Sequence, residues 1–114
     1  MTAIAPIRTT SDRVNFSTEW LSPTEVRIAL TGDVDASNAD DLAEYVFRRA
    51  ANSRRLVLDL SGVDFLSTAG FSVLCTIHQR CMKANVNWTL LGNAMVLRVI
   101  DICDPHKTLP VTAA

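Results

Sequence analysis

Residues 55–74 constrain this chain more than any other stretch. Arg55, Leu56, Val57, Leu58, Asp59 and Leu60 make a short, apolar run with a β-branched residue, closed by Ser61-Gly62. Such a run suits a central parallel strand. A short turn follows, then the hydroxyl pair Ser67 and Thr68, then Ala69-Gly70. Beyond it the apolar residues recur at helical spacing. Two hydroxyls therefore stand where a helix begins, beside free backbone N–H groups and the positive end of the helix dipole. A hydroxyl there caps the helix, or accepts a phosphoryl group that the helix end stabilises.

The flanking segments supply the rest of a sheet. Residues 13–21 alternate, with Val14, Phe16, Thr18 and Trp20 on one side and Asn15, Ser17 and Glu19 on the other. That is a half-exposed edge strand. Ser22-Pro23-Thr24 turns the chain, and Val26, Ile28 and Leu30 point inward from a second strand, completing a hairpin. Residues 32–37 read as an Asp-rich loop. A first helix starts at Ser37 or Asn38, with Asp40 and Asp41 early and Arg48 and Arg49 late, complementing the dipole. Its apolar stripe is Ala39, Leu42, Ala43, Val46 and Ala50, and Glu44 and Arg48 form an i,i+4 pair on the wet face.

The second helix covers residues 68–84. Thr68, Ser72, Thr76, Gln79, Arg80 and Lys83 share one third of its circumference, and Phe71, Val73, Leu74, Ile77, His78, Cys81 and Met82 lie on the rest, with Cys75 at the border. Thr68 heads this polar stripe, with Ser72 one turn below. A strand at residues 86–91 follows. Gly92-Asn93 then turns the chain, and Asn93 can cap a third helix with Val96, Val99, Ile100 and Cys103 inward, stopped at Asp104-Pro105. Residues 108–111 read as a short edge strand, because Pro110 cannot donate to a ladder. The expected class is α/β: one domain, a mixed sheet with an opening hairpin and helices mainly on one face, in the order β-β-α-β-α-β-α-β. Residues 1–12 read as a flexible tail, 13–111 as the domain and 112–114 as a C-terminal tail.

Bulk composition narrows the function. The 114 residues suffice for a single core, and 48% apolar with 20% charged residues is globular. A net charge of −1 offers no basic field to nucleic acid or to an anionic membrane. No apolar run is long enough to span a bilayer, and residues 1–6 lack the pattern of a secretory signal, so the cytoplasm is the expected compartment. The cysteines, Cys75, Cys81 and Cys103, contain no CxxC and read first as small buried hydrophobes. Cys75 and Cys81 are about 9 Å apart along one helix, too far for a disulfide, whereas Cys103 can meet either. The candidate redox pair is Cys75 and Cys103. His78, inside the apolar arc, reads as a hydrogen-bonded core residue, and no metal spacing or cofactor motif is present. Ser67 and Thr68 lack the flanking glycines of a nucleophile elbow, and no glycine-rich phosphate loop occurs. A binding module, not an enzyme, is expected.

The central stretch also resembles the signature of STAS domains, among them the single-domain anti-sigma factor antagonists. The matching residues are Asp59, Leu60, Ser61, Val63, Leu66, Thr68, Gly70 and Leu74. Upstream, Leu30-Thr31-Gly32-Asp33-Val34-Asp35 is similar to the family's Leu-x-Gly-Glu-Leu-Asp. Ser67 stands where the family usually has Asp, and Ala69 where it usually has Ser or Thr. The resemblance implies a partner-switching protein. It would bind an anti-sigma factor with a kinase-like ATPase fold and free a sigma factor for transcription. Thr68 would be the phosphoacceptor, with Ser67 its rival, and a phosphatase would reverse the mark. The implied contact set is Gly32, Asp33, Asp35, Ser67, Thr68, Ala69, Gly70 and Ser72. Alternatives are a STAS subunit of a phospholipid-transporting ABC system, and a STAS regulator that is phosphorylation-independent or redox-gated.

Overall fold

The alternation of the first strands becomes a hairpin. Residues 14–113 are described by a computed structural model, so the expected tail at residues 1–12 lies outside them. Strand β1 (Val14–Ser22) pairs antiparallel with β2 (Glu25–Val34), in a register that sets Phe16 against Leu30 and Thr18 against Ile28. Helix α1 (Ala39–Arg49), β3 (Arg55–Leu66), α2 (Thr68–Lys83), β4 (Asn87–Gly92), α3 (Ala94–Cys103) and β5 (Val111–Ala113) follow. Strands β2 to β5 are mutually parallel, and the sheet order is β1-β2-β3-β4-β5, the order of the chain. Every crossover therefore steps in the same direction. Right-handed connections then place all three helices on one face.

That face is the core. Val26, Ile28, Leu56, Leu58, Leu60 and Leu90 have no measurable exposure, and Leu42, Leu74 and Ile77 reach them from the helices. Burying an aliphatic side chain of this size contributes about 1.5–3 kcal/mol, so this two-layer contact is the main stabilising element. On the sheet's other face Arg27 reaches the Asp59 carboxylate and lies 3.7 Å from Glu19.

The structure departs from the expected elements at several points. Strand β2 runs on through Gly32 and Asp33 to Val34, where an Asp-rich loop was expected. Strand β3 continues past Leu60 to Leu66. Ser61-Gly62 is not its end but an irregularity in its pairing with β2, between the Ala29–Asp59 and Thr31–Gly62 pairs. Asp59 accepts the Ser61 N–H at 2.9 Å, and a Cβ on Gly62 would lie 2.8 Å from Thr31 Cγ2. The glycine thus permits a close strand approach at a bulge. Thr112 and Ala113, expected in a tail, pair with Leu91 and Gly92. Trp20, placed inward by alternation, is 47% exposed, and Met82 is 65% exposed in the last turn of α2.

Candidate functional site

The carboxyl ends of the parallel strands converge on the start of α2. Gly70 fixes how closely the helix seats there: an added Cβ would meet Leu66 Cδ1 at 2.6 Å and Val34 Cγ1 at 2.9 Å. Ser67, in extended conformation, is the N-cap. Its Oγ accepts the Gly70 N–H at 3.2 Å, its own N–H donates to the Val34 carbonyl at 2.9 Å, and its carbonyl accepts the Phe71 N–H at 3.0 Å. Ser67 is therefore engaged on all three sides and half-buried. Thr68, the first residue of the helix, is exposed, and among the described residues no hydrogen bond engages its hydroxyl. The first turn of α2 carries no acidic residue. No side chain of that turn therefore offsets the positive end of the helix dipole beside Thr68.

The end of β2 borders this helix start. Asp33 lies in register with Phe65 and Val34 with Leu66. Gly32 has a φ of 101°, a conformation that costs other residues strain. The following loop is held by side chains. Asp35 Oδ1 accepts both the backbone N–H and the hydroxyl of Ser37, while Asn38 accepts the Asp35 N–H at 3.0 Å and donates to the Asp33 carbonyl at 2.9 Å. On the other flank Asn93 caps α3 through the Val96 N–H at 2.8 Å and donates to the carbonyls of Ser61 and Val63. One asparagine thus ties the third helix to the bulge of β3.

The expected contact residues fall into two groups. Thr68 and Ser72 are exposed one turn apart on α2. Gly32, Asp33 and Asp35 are half-buried beside them, Ala69 packs partly against the core, and Gly70 is fully inside. Gly70 therefore shapes the surface from beneath and offers nothing to touch. Two neighbours escaped sequence reading: Asp64, and Phe65, which is 48% exposed on the last residues of β3. The signal was the alternation Val63, Phe65 against Asp64, Leu66, which is uninformative once a bulge has shifted the faces. Asp33 and Asp64 lie on the last residues of β2 and β3 and Asp35 in the loop after β2, and residues 28–47 and 56–79 contain no Lys or Arg.

The cysteines are free thiols. Burial pushes Cys81 up to about 11. Cys75 is raised by burial first, then by the Asp104 carboxylate and by Cys103, so α2 and α3 bring these two thiols within electrostatic reach. Cys103, expected to be buried, is half-exposed. His78 accepts the Trp88 indole N–H at Nδ1, 3.0 Å away, so it is hydrogen-bonded as expected but half-buried and not in the core. Two carboxylates are shifted. For Asp104, backbone hydrogen bonding from Leu109 leads, with Thr108 adding to it, and the carboxyl falls below its usual value. For Asp59, burial acts upward, but hydrogen bonds from Ser61 and the Arg27 guanidinium outweigh it, and the net shift is down.

A model of the STAS domain family matches residues 21–113. The chain belongs to the STAS domain family. Among its relatives, Osmosensory protein A of Mycobacterium tuberculosis is 35% identical over 78 residues, which is 68% of this chain and 49% of that protein. The chain thus spans about half the length of that relative. Anti-sigma-F factor antagonist RsfA of the same species is 31% identical over 90 residues, 75% of this chain and 70% of RsfA. Among solved structures, an anti-sigma factor antagonist from Mycobacterium paratuberculosis superposes with a TM-score of 0.78 at 22% identity, covering 90% of this chain and 88% of that one. The unphosphorylated anti-sigma factor antagonist SpoIIAA gives 0.72 at 14% identity, with 87% of each chain covered. At such identities the likeness is one of fold, and it agrees with the STAS architecture expected from the sequence. No described helix of this STAS domain is long and apolar enough to cross a membrane.

Proposed function

We propose that this STAS domain is an anti-sigma factor antagonist. It binds an anti-sigma factor with a kinase-like ATPase fold through the start of α2 and the end of β2, and so frees a sigma factor. Phosphorylation of Thr68 switches the contact off, and a phosphatase restores it. The relatives and the family motif support the general role, which is regulatory and non-enzymatic. One observation carries the choice of residue: Ser67 is engaged as the helix cap, whereas the Thr68 hydroxyl stands exposed and unengaged at the helix start.

The physics of the switch is local. A phosphoryl group adds about −1.5 to −2 charges at pH 7. At a helix N-terminus an anion is favoured by about 0.3–1 kcal/mol, so the fold survives the mark. The same charge would stand on the contact face itself, and a partner that packs over Thr68 must desolvate it.

The test is calorimetry of wild type, Thr68→Glu and Thr68→Ala against the anti-sigma factor that co-purifies, with phosphate mapping by mass spectrometry. Thr68→Glu folds and binds at least tenfold more weakly. Thr68→Ala still binds and takes no phosphate from a kinase partner. Equal affinity of Thr68→Glu and wild type would sink the switch, and phosphate confined to Ser67 would move it by one residue.

A further inference from the structure

At the end of α2 opposite Thr68, the last turns of α1 and α2 and the starts of β3 and β4 surround a cavity of about 370 Å³. Small-molecule sites span roughly 300–1,000 Å³. Its walls are apolar: Val46, Phe47, Leu56, Cys81, Ala84 and Val86. The buried Cys81 thiol stays protonated and acts as one more apolar surface. Two cations stand on the rim, Arg80 and Lys83, on adjacent positions of the α2 surface. The Arg80 guanidinium lies 4.3 Å from the centroid of the Phe47 ring, which holds it in place while its N–H edges stay available. Neither cation has a carboxylate partner among the described residues.

The surroundings add to the same sign. Arg48 and Arg49 end α1, Arg54 precedes β3 and Arg55 opens it. The acids nearby are Glu44, 3.5 Å from Arg48, and Glu25, in register with Arg55. An apolar hollow under unpaired cations is complementary to a molecule with an apolar body and an anionic head. A purely polar anion would leave the walls unfilled, and a neutral hydrocarbon would leave both cations unused.

We propose that this cavity binds a free single-chain amphipathic anion of the fatty-acid class, with its carboxylate at Arg80 and Lys83 and its chain along Phe47, Leu56, Ala84 and Val86. The site is about one helix length from Thr68 and is independent of the anti-sigma reading.

The test is a titration of the ¹⁵N-labelled protein with sodium decanoate, followed by amide shifts, beside decyltrimethylammonium and vesicles of anionic phospholipid. Decanoate produces saturable shifts at Ala84 and Val86, leaves Thr68 in place, and raises the melting temperature. The pair Arg80→Gln with Lys83→Gln weakens it roughly tenfold or more. Ala84→Trp fills the hollow and abolishes binding, and Ala51→Trp, at an exposed lining position, does so if Ala84→Trp fails to fold. The proposal is overturned if decyltrimethylammonium binds as tightly as decanoate, or if the double variant binds like wild type. It is equally overturned if only vesicles bind, which would make the basic end a membrane contact, or if decanoate lowers the melting temperature.

Discussion

The two ends of α2 are built on opposite rules. At its start, the helix is pressed onto the strand ends through Gly70 and capped by Ser67. At its finish, the helix closes on Asn85, whose φ of 56° lets the Val86 N–H reach the Cys81 carbonyl at 2.8 Å, and Arg80 and Lys83 stand on the rim of an open hollow shared with α1 and the sheet. The first end fixes where a hydroxyl stands to within the tolerance of close packing. The second keeps unfilled volume and unpaired charge. Rigid presentation suits a surface read by a macromolecular partner, and unfilled volume suits a small guest.

Four substitutions test that contrast. Gly70→Val should destabilise the domain by about 1–3 kcal/mol through overpacking, because its Cβ alone would lie 2.6 Å from Leu66 Cδ1 and 2.9 Å from Val34 Cγ1, both on buried side chains. Ala84→Val at the other end should stay within about 0.5 kcal/mol of wild type. Urea unfolding compares the two, and similar midpoints would erase the distinction. Phe65→Ala should weaken anti-sigma factor binding by about 2 kcal/mol, as a central aromatic contact does, and leave the urea midpoint nearly unchanged, since half of the ring is exposed. An unaltered affinity would confine the contact to the polar residues. Ser67→Ala should cost about 1 kcal/mol through loss of the cap. It should leave phosphate on Thr68, read by mass spectrometry of the kinase-treated protein. Loss of phosphate with an intact fold would return Ser67 to the role of acceptor.

Much of this architecture was legible in the residues because buried faces impose their period. The stripe of α1, the start of α2 at Thr68 and the cap at Asn93 all follow from spacing and hydroxyl or amide chemistry. What escaped was set by partners distant in sequence. Ser61-Gly62 reads locally as a strand end, yet Thr31 across the ladder turns it into a bulge, and the strand resumes to carry Phe65 to the surface. Trp20 obeys alternation, but α1 covers β1 only as far as Thr18, whose hydroxyl meets that of Tyr45 at 2.7 Å. Tyr45 itself lies off the simple apolar stripe and is nonetheless buried, stacked 5.0 Å from Phe16. The cavity was invisible for the same reason: Phe47 and Arg80 meet through tertiary packing alone. Within the site, the hydroxyl pair was visible, but which hydroxyl was free was decided by the Gly70 N–H.

The sheet order carries one more consequence. Because the strands lie side by side in the order in which they occur in the chain, each new strand docks beside one already laid down. No strand has to be held open for a later segment to insert between its neighbours. A ribosome releasing this chain from its amino end therefore delivers every segment to an existing edge. The growing edge is the exposed strand at each stage, and it stays available until β5, with only Val111–Ala113, ends the series.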